Sequence, residues 1–442
     1  MRVKLEHQVR EQPEDFESMS VEDLYAEHRA QSANMRKTIA SFLGGGASVD
    51  LPLSVPGYYC DLLVWALEEQ RRAGRWKVVQ VFGRTSSKAD YSSINTGPST
   101  HAELFSGGVM LLQHGDTRLV VYLRLDQEDG GTVLVSASTG QSRRAEAFLR
   151  SLQTRVREKK LYKGHSLQFG LRLSFLEQSQ KTWDDIAVPD EVRHSIIAQT
   201  TRFLEWSSRL EPYGVSPRRG LLLTGKPGTG KTLICKALMN TSPGITCLVA
   251  HTGTLIHPTY VDYLYQIAAD LSPTIVFLED IDLVGQGRLR SHYSVADALS
   301  RLLFALDGVE DCRNVVTVAT TNWLEILDEA LKDRPSRFDR IINLDPPDAE
   351  QRRTYLEYLA ARIPLPAEMV DRLVQSTAGM TPAQIQEVVH CAAIEAPVPP
   401  DSPDYWDIAF SPRAIEAALA QVKRGNGSVG FLTRNTADAG VR

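Results

Sequence analysis

Apolar residues change their spacing several times along this chain, and each change marks a different kind of element. Over residues 1–43 polar positions dominate, and apolar ones recur at Phe16, Met19, Val21, Leu24, Tyr25, Met35, Ile39, Phe42 and Leu43. That spacing predicts one or two amphipathic helices. Gly44 to Ser48 predicts a break, which Pro52 and Pro56 extend. From Gly57 to about Leu173 the pattern is mixed. Leu62–Arg71 has a helical period, Lys77–Phe82 reads as a strand, and Ser86–Thr100 reads as a polar loop. Gly108–Gln113, Arg118–Leu125 and Gly131–Ser138 predict a β-meander, with apolar–polar alternation in the last two. Arg143 to Lys160 predicts a helix. Further on, Gly220–Thr224, Thr274–Leu278 and Val315–Asn322 read as buried strands, of the kind found in the middle of a parallel sheet. Ser411–Lys423 predicts an amphipathic helix, with Ser411 as its cap and Pro412 at its first position. Beyond Gly425 the Gly/Ser/Asn/Thr/Ala-rich composition predicts a disordered tail.

The run ending at Thr224 is followed directly by Gly225-Lys226-Pro227-Gly228-Thr229-Gly230-Lys231-Thr232, a complete G-x-x-x-x-G-K-[ST] phosphate loop. A helical stretch, Leu233 to Met239, comes next. Glycines let successive backbone N–H groups turn inward around phosphates, and the helix N-terminus adds the positive end of its dipole. Lys231 is placed to reach the β- and γ-phosphates and Thr232 to hold a magnesium ion. The loop predicts binding of a nucleoside triphosphate, with ATP and Mg2+ as cofactors.

A second motif ends the strand at Thr274–Leu278, where Glu279, Asp280 and then Asp282 follow. Carboxylates at that strand end meet the phosphate loop at the edge where such sheets bind ligands. One acid is needed to hold hydrated magnesium and one to orient the attacking water.

Composition narrows the alternatives. With 442 residues and 43% hydrophobic content, the chain can bury two or three domain cores. Its net charge of −5 gives no overall basic footprint of a nucleic-acid binder. Five cysteines, at 60, 235, 247, 312 and 391, show no C-x-x-C spacing, which argues against structural zinc and fits a reducing compartment. The N-terminal stretch has no apolar core typical of a secretion signal, and no run of about 18 apolar residues predicts a membrane span. The expectation is a soluble, cytoplasmic protein. One local cluster stands out: Arg143, Arg144, Arg150, Arg155, Arg157, Lys159, Lys160, Lys163 and Arg172 face only Glu146 and Glu158. It can be read as a docking helix for nucleic acid or an acidic protein, or as a solvated helix face; the missing interleaved aromatics favour the latter.

From about Thr182 to Arg424 the chain resembles an AAA-type ATPase module. Trp183-Asp184-Asp185-Ile186 is similar to the short motif that opens that core, and Tyr213-Gly214-Val215 to the segment beside the adenine pocket. Ala319-Thr320-Thr321-Asn322 resembles the sensor strand, whose terminal Asn contacts the γ-phosphate or the water. Leu327–Leu331 followed by Arg334–Arg340 resembles the second region of homology. Within it Arg337 and Arg340 match the arginine fingers that reach a neighbouring subunit's nucleotide. Gly379 to Ile385 is similar to the start of a lid helix beside ribose and adenine. The resemblance implies Asp280, Glu279, Asn322, Arg337 and Arg340 as catalytic residues. It implies nucleotide contacts at residues 225–233, closing with Leu233, and at Asp185, Ile186, Gly379 and Ala383, with Thr232 and Glu279 holding the metal.

The departures from that family also carry information. The usual Asp-Glu order is reversed to Glu279-Asp280, so the shorter Asp must orient water. The same order occurs in the subfamily of the mitochondrial chaperone that translocates the Rieske iron–sulfur protein, and in related bacterial ATPases. The resemblance therefore implies slow but real hydrolysis. The segment Thr252–Tyr260 is short and lacks the aromatic–aliphatic–Gly triplet of pore loops. His257 and Tyr260 are pore-lining candidates, although Tyr260, Tyr263 and Leu264 also read as the apolar face of the next helix. Gly285–Tyr293 reads as a second pore loop or a mobile connection.

The expected architecture is α/β, a P-loop NTPase core with a parallel sheet plus a small helical lid, preceded by an α+β N-terminal domain. Its parts are 1–43 helical, 57–173 an α+β adaptor or substrate domain, 182–345 the large ATPase subdomain, 346–424 the lid and 425–442 a tail. By resemblance, the expected function is a ring-forming ATPase, a homo-oligomer of hexamer type, that remodels, unfolds or translocates a protein client. The alternatives are a nucleic-acid-linked loader and a nucleotide switch with little turnover.

Overall fold

The computed structural model describes residues 33–55, 57–83, 89–126, 130–170, 173–177, 179–256, 258–281, 302, 312–323, 338–363, 365–395 and 410–425. The chain divides into two compact units. The first runs to Glu177 and includes Gly244–Ala250 and Gln266–Thr274; the second holds Gln178–Pro243, His251–Tyr265 and the chain from Ile275 onward.

In the first unit, α1 (Ala33–Leu43), β1 (Ser48–Val55), α2 (Cys60–Ala73), β2 (Lys77–Phe82) and β3 (Asp90–Gly97) are followed by β4 (Thr100–His114), β5 (Thr117–Asp126), β6 (Gly130–Ser138) and α3 (Ser142–Glu158). The strands form an antiparallel sheet in the order β1-β6-β5-β4-β2, with β3 paired to β4. The expected alternation gives way to burial on both faces. Val109, Leu111, Val120, Tyr122 and Leu134 pack with Met35, Ile39, Phe42 and Leu43 of α1. Leu112, Leu119, Val121, Leu123, Val133 and Val135 are buried as well, and α2 and α3 pack against the sheet and each other. A sheet covered by helices on both sides needs apolar residues at consecutive positions.

Two segments read as irregular are strands. Pro52 lies inside β1, which pairs only with β6, and an edge strand accommodates a residue without an N–H donor. The polar stretch before Thr100 contains β3, held by its ladder to β4 and by a Ser92 Oγ–Ser106 Oγ hydrogen bond of 2.7 Å. Its one fully buried apolar residue, Ile94, leaves almost no period to read.

A seven-stranded sheet has the order β13-β9-β12-β11-β10-β7-β8. Its strands are β7 (Ser166–Phe169), β8 (Ser174–Phe175), β9 (Arg218–Thr224), β10 (Thr246–His251), β11 (Thr274–Glu279), β12 (Val315–Thr321) and β13 (Arg340–Asn343). β12 and β13 run parallel to β9 and β7 runs parallel to β10, whereas β8 runs antiparallel to β7. This is the parallel P-loop NTPase core the apolar runs imply. β7 and β8 come from residues before 177, so the sheet takes in part of the segment read as the preceding domain.

The helices of the second unit are α4 (Asp190–Gln199), α5 (Thr201–Leu210), α6 (Lys231–Asn240) and the first part of α7 (Pro258–Asp270), then α8 (Ala349–Ala360), α9 (Ala367–Ser376), α10 (Pro382–Ile394) and α11 (Pro412–Gly425). The last four share one core, with Leu356, Leu373, Ile385, Val388, Ile415 and Ala418 at its centre. α8 begins in a capping box: Asp348 Oδ1 accepts from Gln351 N at 2.9 Å, and Asp348 N donates to Gln351 Oε1 at 3.2 Å. On α7 the buried face is Val261, Leu264 and Tyr265, while Tyr260 and Tyr263 are half-buried and touch edge to face. Among the described residues no helix is long and apolar enough to cross a membrane.

Candidate active site

The site is built on β9, whose Gly220–Thr224 stretch is buried and delivers the chain into the phosphate loop. Gly225, Gly228 and Gly230 all adopt positive φ, at 146°, 84° and 102°. At Gly225 a Cβ would lie 2.4 Å from Leu344 O, and at Gly228 it would lie 2.9 Å from both Ala383 Cβ and Thr381 Oγ1. Only glycine fits at either position. Gly230 precedes α6, so the loop leads into a helix N-terminus. Lys231 is buried, and its Nζ donates to Gly225 O at 2.6 Å and Lys226 O at 3.1 Å, which lays the ammonium across the loop. Thr232 is exposed at the first turn and Leu233 is half-buried behind it.

The carboxylates arrive from β11. Its Thr274–Leu278 stretch is buried, while Glu279 and Asp280 are half-buried. Burial pushes the Glu279 carboxyl above its ordinary range, and the neighbouring Asp280 adds to this; His251 and Lys236 pull it back. Asp280 has φ 51°, and its amide donates to Thr320 Oγ1 at 3.0 Å. Asn322 Nδ2 donates to Asp280 Oδ1 at 3.2 Å. In the sheet register Thr321 of β12 and Asn343 of β13 both pair with Thr224, so Asn322 stands level with Gly225 at the loop's start. The predicted acid, sensor and phosphate loop therefore share one sheet edge.

The motif opening the ATPase segment ties the core to the lid. Trp183 is buried, and its Nε1 donates to Thr241 Oγ1 at 3.1 Å at the end of α6. Asp185 Oδ2 accepts from Thr182 N at 2.8 Å, and Oδ1 accepts from the Tyr358 hydroxyl of α8. Lys181 and Arg362 each approach Oδ1 at 3.5 Å. The Tyr358 hydrogen bond, with the Thr182 amide and Lys181, holds the Asp185 carboxyl down at about 2, and burial with the Asp185 contact pushes Tyr358 up to about 12. The carboxylate of Asp185, a candidate nucleotide contact, is engaged by protein donors. Ile186 does border the loop, with its Cγ2 3.7 Å from where a Gly230 Cβ would stand.

The lid reaches the loop through α10. Ala383 N donates to Gly228 O at 3.2 Å. Beside this contact a cleft of ≈ 460 Å³ is lined by Lys226 and Pro227 of the loop and by Gly379, Thr381, Gln384 and Lys423 of the lid. The resemblance implies nucleotide contacts at Gly379 and Ala383, whereas nothing local in the sequence points to Tyr358 or Leu344, whose partners Asp185 and Thr224 lie far away along the chain.

Arg340 is exposed at the start of edge strand β13. Phe338 is buried, and Asp339 Oδ2 accepts from Gly220 N at 2.7 Å, which fixes the chain just before the arginine. Arg340 pairs with Leu221, three residues short of the strand's end, so it stands roughly 10 Å back from its own phosphate loop. Arg337, Asp282, His257, the segments 327–331 and 334–336, the loop 285–293 and the tail beyond 425 lie outside the described residues.

Four members of the basic cluster contact partners within their own unit. Arg144 donates to Thr117 Oγ1, Arg155 Nε to Gln70 Oε1 at 2.7 Å, Arg150 pairs with Glu146 at 3.6 Å, and Lys159 Nζ lies 4.5 Å from the Trp65 ring centroid.

A parallel sheet with a phosphate loop at one strand end, carboxylates at another and a helical lid touching the loop defines a P-loop NTPase. Residues 221–346 match the family model described as ATPase family associated with various cellular activities (AAA). The chain carries an AAA ATPase domain. Among curated relatives it is similar to ATP-dependent zinc metalloprotease FtsH 2 of Sphaerobacter thermophilus, 36% identical over 225 residues, which cover 49% of this chain and 34% of the relative. It is also similar to FtsH 3 of Sorangium cellulosum, 35% identical over 224 residues, covering 48% and 37%. FTSH 9, chloroplastic/mitochondrial, of Oryza sativa subsp. japonica is 33% identical over 230 residues, covering 50% and 29%. The chain spans about a third of the length of these relatives. Their names give no support to the finer Rieske-chaperone assignment.

Proposed function

We propose that this chain is a ring-forming ATPase that couples Mg-ATP hydrolysis to remodelling, unfolding or translocation of a protein client. The observation that carries this reading is the meeting of Asp280 and Asn322 at the edge where the phosphate loop begins. The glycine cradle that a Cβ would fill, the exposed Thr232 at a helix N-terminus and the half-buried acids fit a magnesium-bound triphosphate. Among the described residues there is no cluster of three or more His, Cys, Asp or Glu.

In this reading residues 225–233 hold the phosphates, with Lys231 neutralising the outer ones. Thr232 and Glu279 would hold the metal, which would supply charge neutralisation at the phosphate oxygens. Asp280 orients a water and takes its proton as the water oxygen bonds to the γ-phosphorus. The bond from that phosphorus to the β–γ bridging oxygen breaks, which yields ADP and phosphate. Asn322 holds Asp280 and the water in line. Arg337 and Arg340 act on a neighbouring copy's nucleotide, which requires a homo-oligomer, taken as a hexamer. Gly379 and Ala383 border the nucleotide from the lid, Ile186 from the opening segment, and Asp185 acts by holding that segment to α8.

A protein client is favoured because the similar proteins are named ATP-dependent proteases. The zinc pattern H-E-x-x-H does not occur in these 442 residues, so the proposal concerns the ATPase work alone. The Glu279-Asp280 order keeps a relation to the Rieske chaperone as a secondary reading. The partnered arginines of α3 weigh against the loader reading. We also propose the large subdomain at 182–345 and the lid at 346–424, and a cytoplasmic location in keeping with the five free cysteines.

The test is capture with Asp280→Asn in the native host, with ATP present and Lys231→Ala as control. A protein enriched only with Asp280→Asn supports the proposal. Nuclease-sensitive material instead would favour the loader, and nothing above control, together with no phosphate release by the unmutated chain, would favour the switch.

A further inference from the structure

A left-handed turn in the first unit carries charge that the ATPase site leaves unused. α2 ends at Ala73, where Trp76 N donates to Arg71 O at 3.0 Å and Arg75 N donates to Arg72 O at 3.1 Å. These two bonds make a Schellman turn, in which the residue after the C-cap is left-handed and usually glycine. Here the C-cap is Gly74, at φ −78°, and Arg75 takes the left-handed position, at φ 51°. Gly74 leaves room for the next ring, since a Cβ there would stand 2.5 Å from Trp76 Nε1. The chain thus keeps an arginine where glycine would relieve the backbone, and such an outlier points to a use for its side chain.

The surroundings of that arginine are basic. Arg75 and Lys77 are exposed, and their side chains make no hydrogen bond or ion pair among the described residues. Arg71 and Arg72 already supply the cations that a helix C-terminus favours, and both pair with Glu68. Between Arg75 and Lys77, the Trp76 ring lies 5.5 Å from His114 and 5.4 Å from Phe148 of α3. One turn before Phe148, Arg144 donates to Thr117, which pairs with His114 across the β4–β5 hairpin. Cations from α2, β2 and α3 therefore gather around one tryptophan. Asp116, in the β4–β5 turn, is an exposed acid beside them.

The kind of partner follows from β2. Its one strand neighbour is β4, so among the described strands its other edge is unpaired. The register shifts between Val78 and Gln80, which leaves Val79 outside the ladder and 45% exposed. An open strand edge offers N–H and C=O groups in alternation, which another polypeptide backbone can match and a sugar–phosphate backbone cannot. The bulge and Lys77 discourage two such edges from pairing with each other, whereas the cations favour a strand that carries carboxylates. We propose that the free edge of β2, with Arg75, Lys77 and Val79, is a docking strand for an extended acidic segment of a protein partner. This deepens the protein-client reading and rests on it.

The test titrates the full chain against three fluorescent probes by anisotropy: an alternating Glu–Thr peptide, a Gln–Thr peptide of equal length and a single-stranded oligothymidylate of equal charge. Arg75→Glu and Lys77→Glu are each expected to weaken the acidic peptide roughly tenfold, and Arg75→Gly roughly threefold. Arg75→Gly should not lower Tm, because glycine suits the left-handed backbone. Methylating alternate backbone nitrogens of the acidic peptide keeps its charge and should abolish binding, since strand pairing needs those donors. Equal binding by the methylated peptide, or acidic-peptide binding unchanged by the charge reversals, overturns the proposal. So does a fall in Tm with Arg75→Gly and unchanged peptide affinity, which would make Arg75 a structural residue only. If the Gln–Thr peptide binds as tightly as the acidic one and ignores the reversals, this surface fails and the client reading stands. If the oligothymidylate binds and neither peptide does, both fail. If no probe binds the unmutated chain, this proposal fails, and capture with Asp280→Asn decides the client reading by itself.

Discussion

Asn322 Nδ2 donates to Asp280 Oδ1 at 3.2 Å, joining the ends of β12 and β11, neighbouring strands on one side of the strand that leads into the phosphate loop. Asp280 is one methylene shorter than a glutamate and holds a positive φ of 51°, so its carboxylate depends on neighbours for its aim. Asn322→Ala is expected to lower kcat about 10–100-fold while KM for ATP changes less than about threefold, since the lost contact acts in the transition state. Steady-state phosphate release checks this. A KM effect with kcat unchanged would place Asn322 in ground-state binding.

Gly228 combines φ 84° with a would-be Cβ 2.9 Å from Ala383 Cβ and Thr381 Oγ1. Gly228→Ala must force the lid helix away or strain the loop. It should destabilise the ATPase segment by about 1–3 kcal/mol and abolish ATP-induced thermal stabilisation. Thermal melts with and without Mg-ATP measure both effects, and an ATP-induced Tm shift equal to that of the unmutated chain would contradict the contact.

Tyr358 and Asp185 tie the opening segment to the lid. The folded Asp185 carboxyl is held near 2, below its ordinary 3.8, mainly by the Tyr358 hydroxyl. For a depressed carboxyl the linked stability is complete above the unfolded value and is lost as pH falls through the folded one. Tyr358→Phe is therefore expected to cost about 1 kcal/mol at neutral pH, because Lys181, Arg362 and solvent still reach the carboxylate. The difference in Tm from the unmutated chain should narrow steadily below about pH 4. A difference that stays constant as pH falls to about 2, where Asp185 titrates, would mean the hydroxyl acts by packing alone.

Arg340 sits exposed on an edge strand, set back from its own loop. Arg340→Ala should keep ATP binding and lose turnover, and Lys231→Ala should lose both. Mixed together, the two variants should regain part of the activity, because each Arg340→Ala site can meet an intact arginine on a Lys231→Ala neighbour. No recovery at any ratio would argue against action between copies.

What could be read from the sequence follows how far apart the interacting residues lie. The phosphate loop is eight consecutive residues, and the β11 acids end one apolar run, so each was visible locally. Asp185 and Tyr358 are 173 positions apart, and neither has a local signal for the other. β3 was hidden because its ladder to β4, not an apolar period, holds it. The double burial of β4 to β6 depends on α1 and α2–α3 covering opposite faces, a tertiary fact that strand periodicity alone does not encode. Pro52 was read as a breaker because its position on an edge strand is likewise tertiary.

In the proposed mechanism Asp280 activates water at a working ATP site. The measurement that tests it most directly is ATP binding and phosphate release by Asp280→Asn side by side with the unmutated chain. Asp280→Asn is expected to keep ATP affinity within about threefold of the unmutated chain and to reduce turnover about 10²–10⁴-fold. Turnover within threefold of the unmutated chain would contradict it.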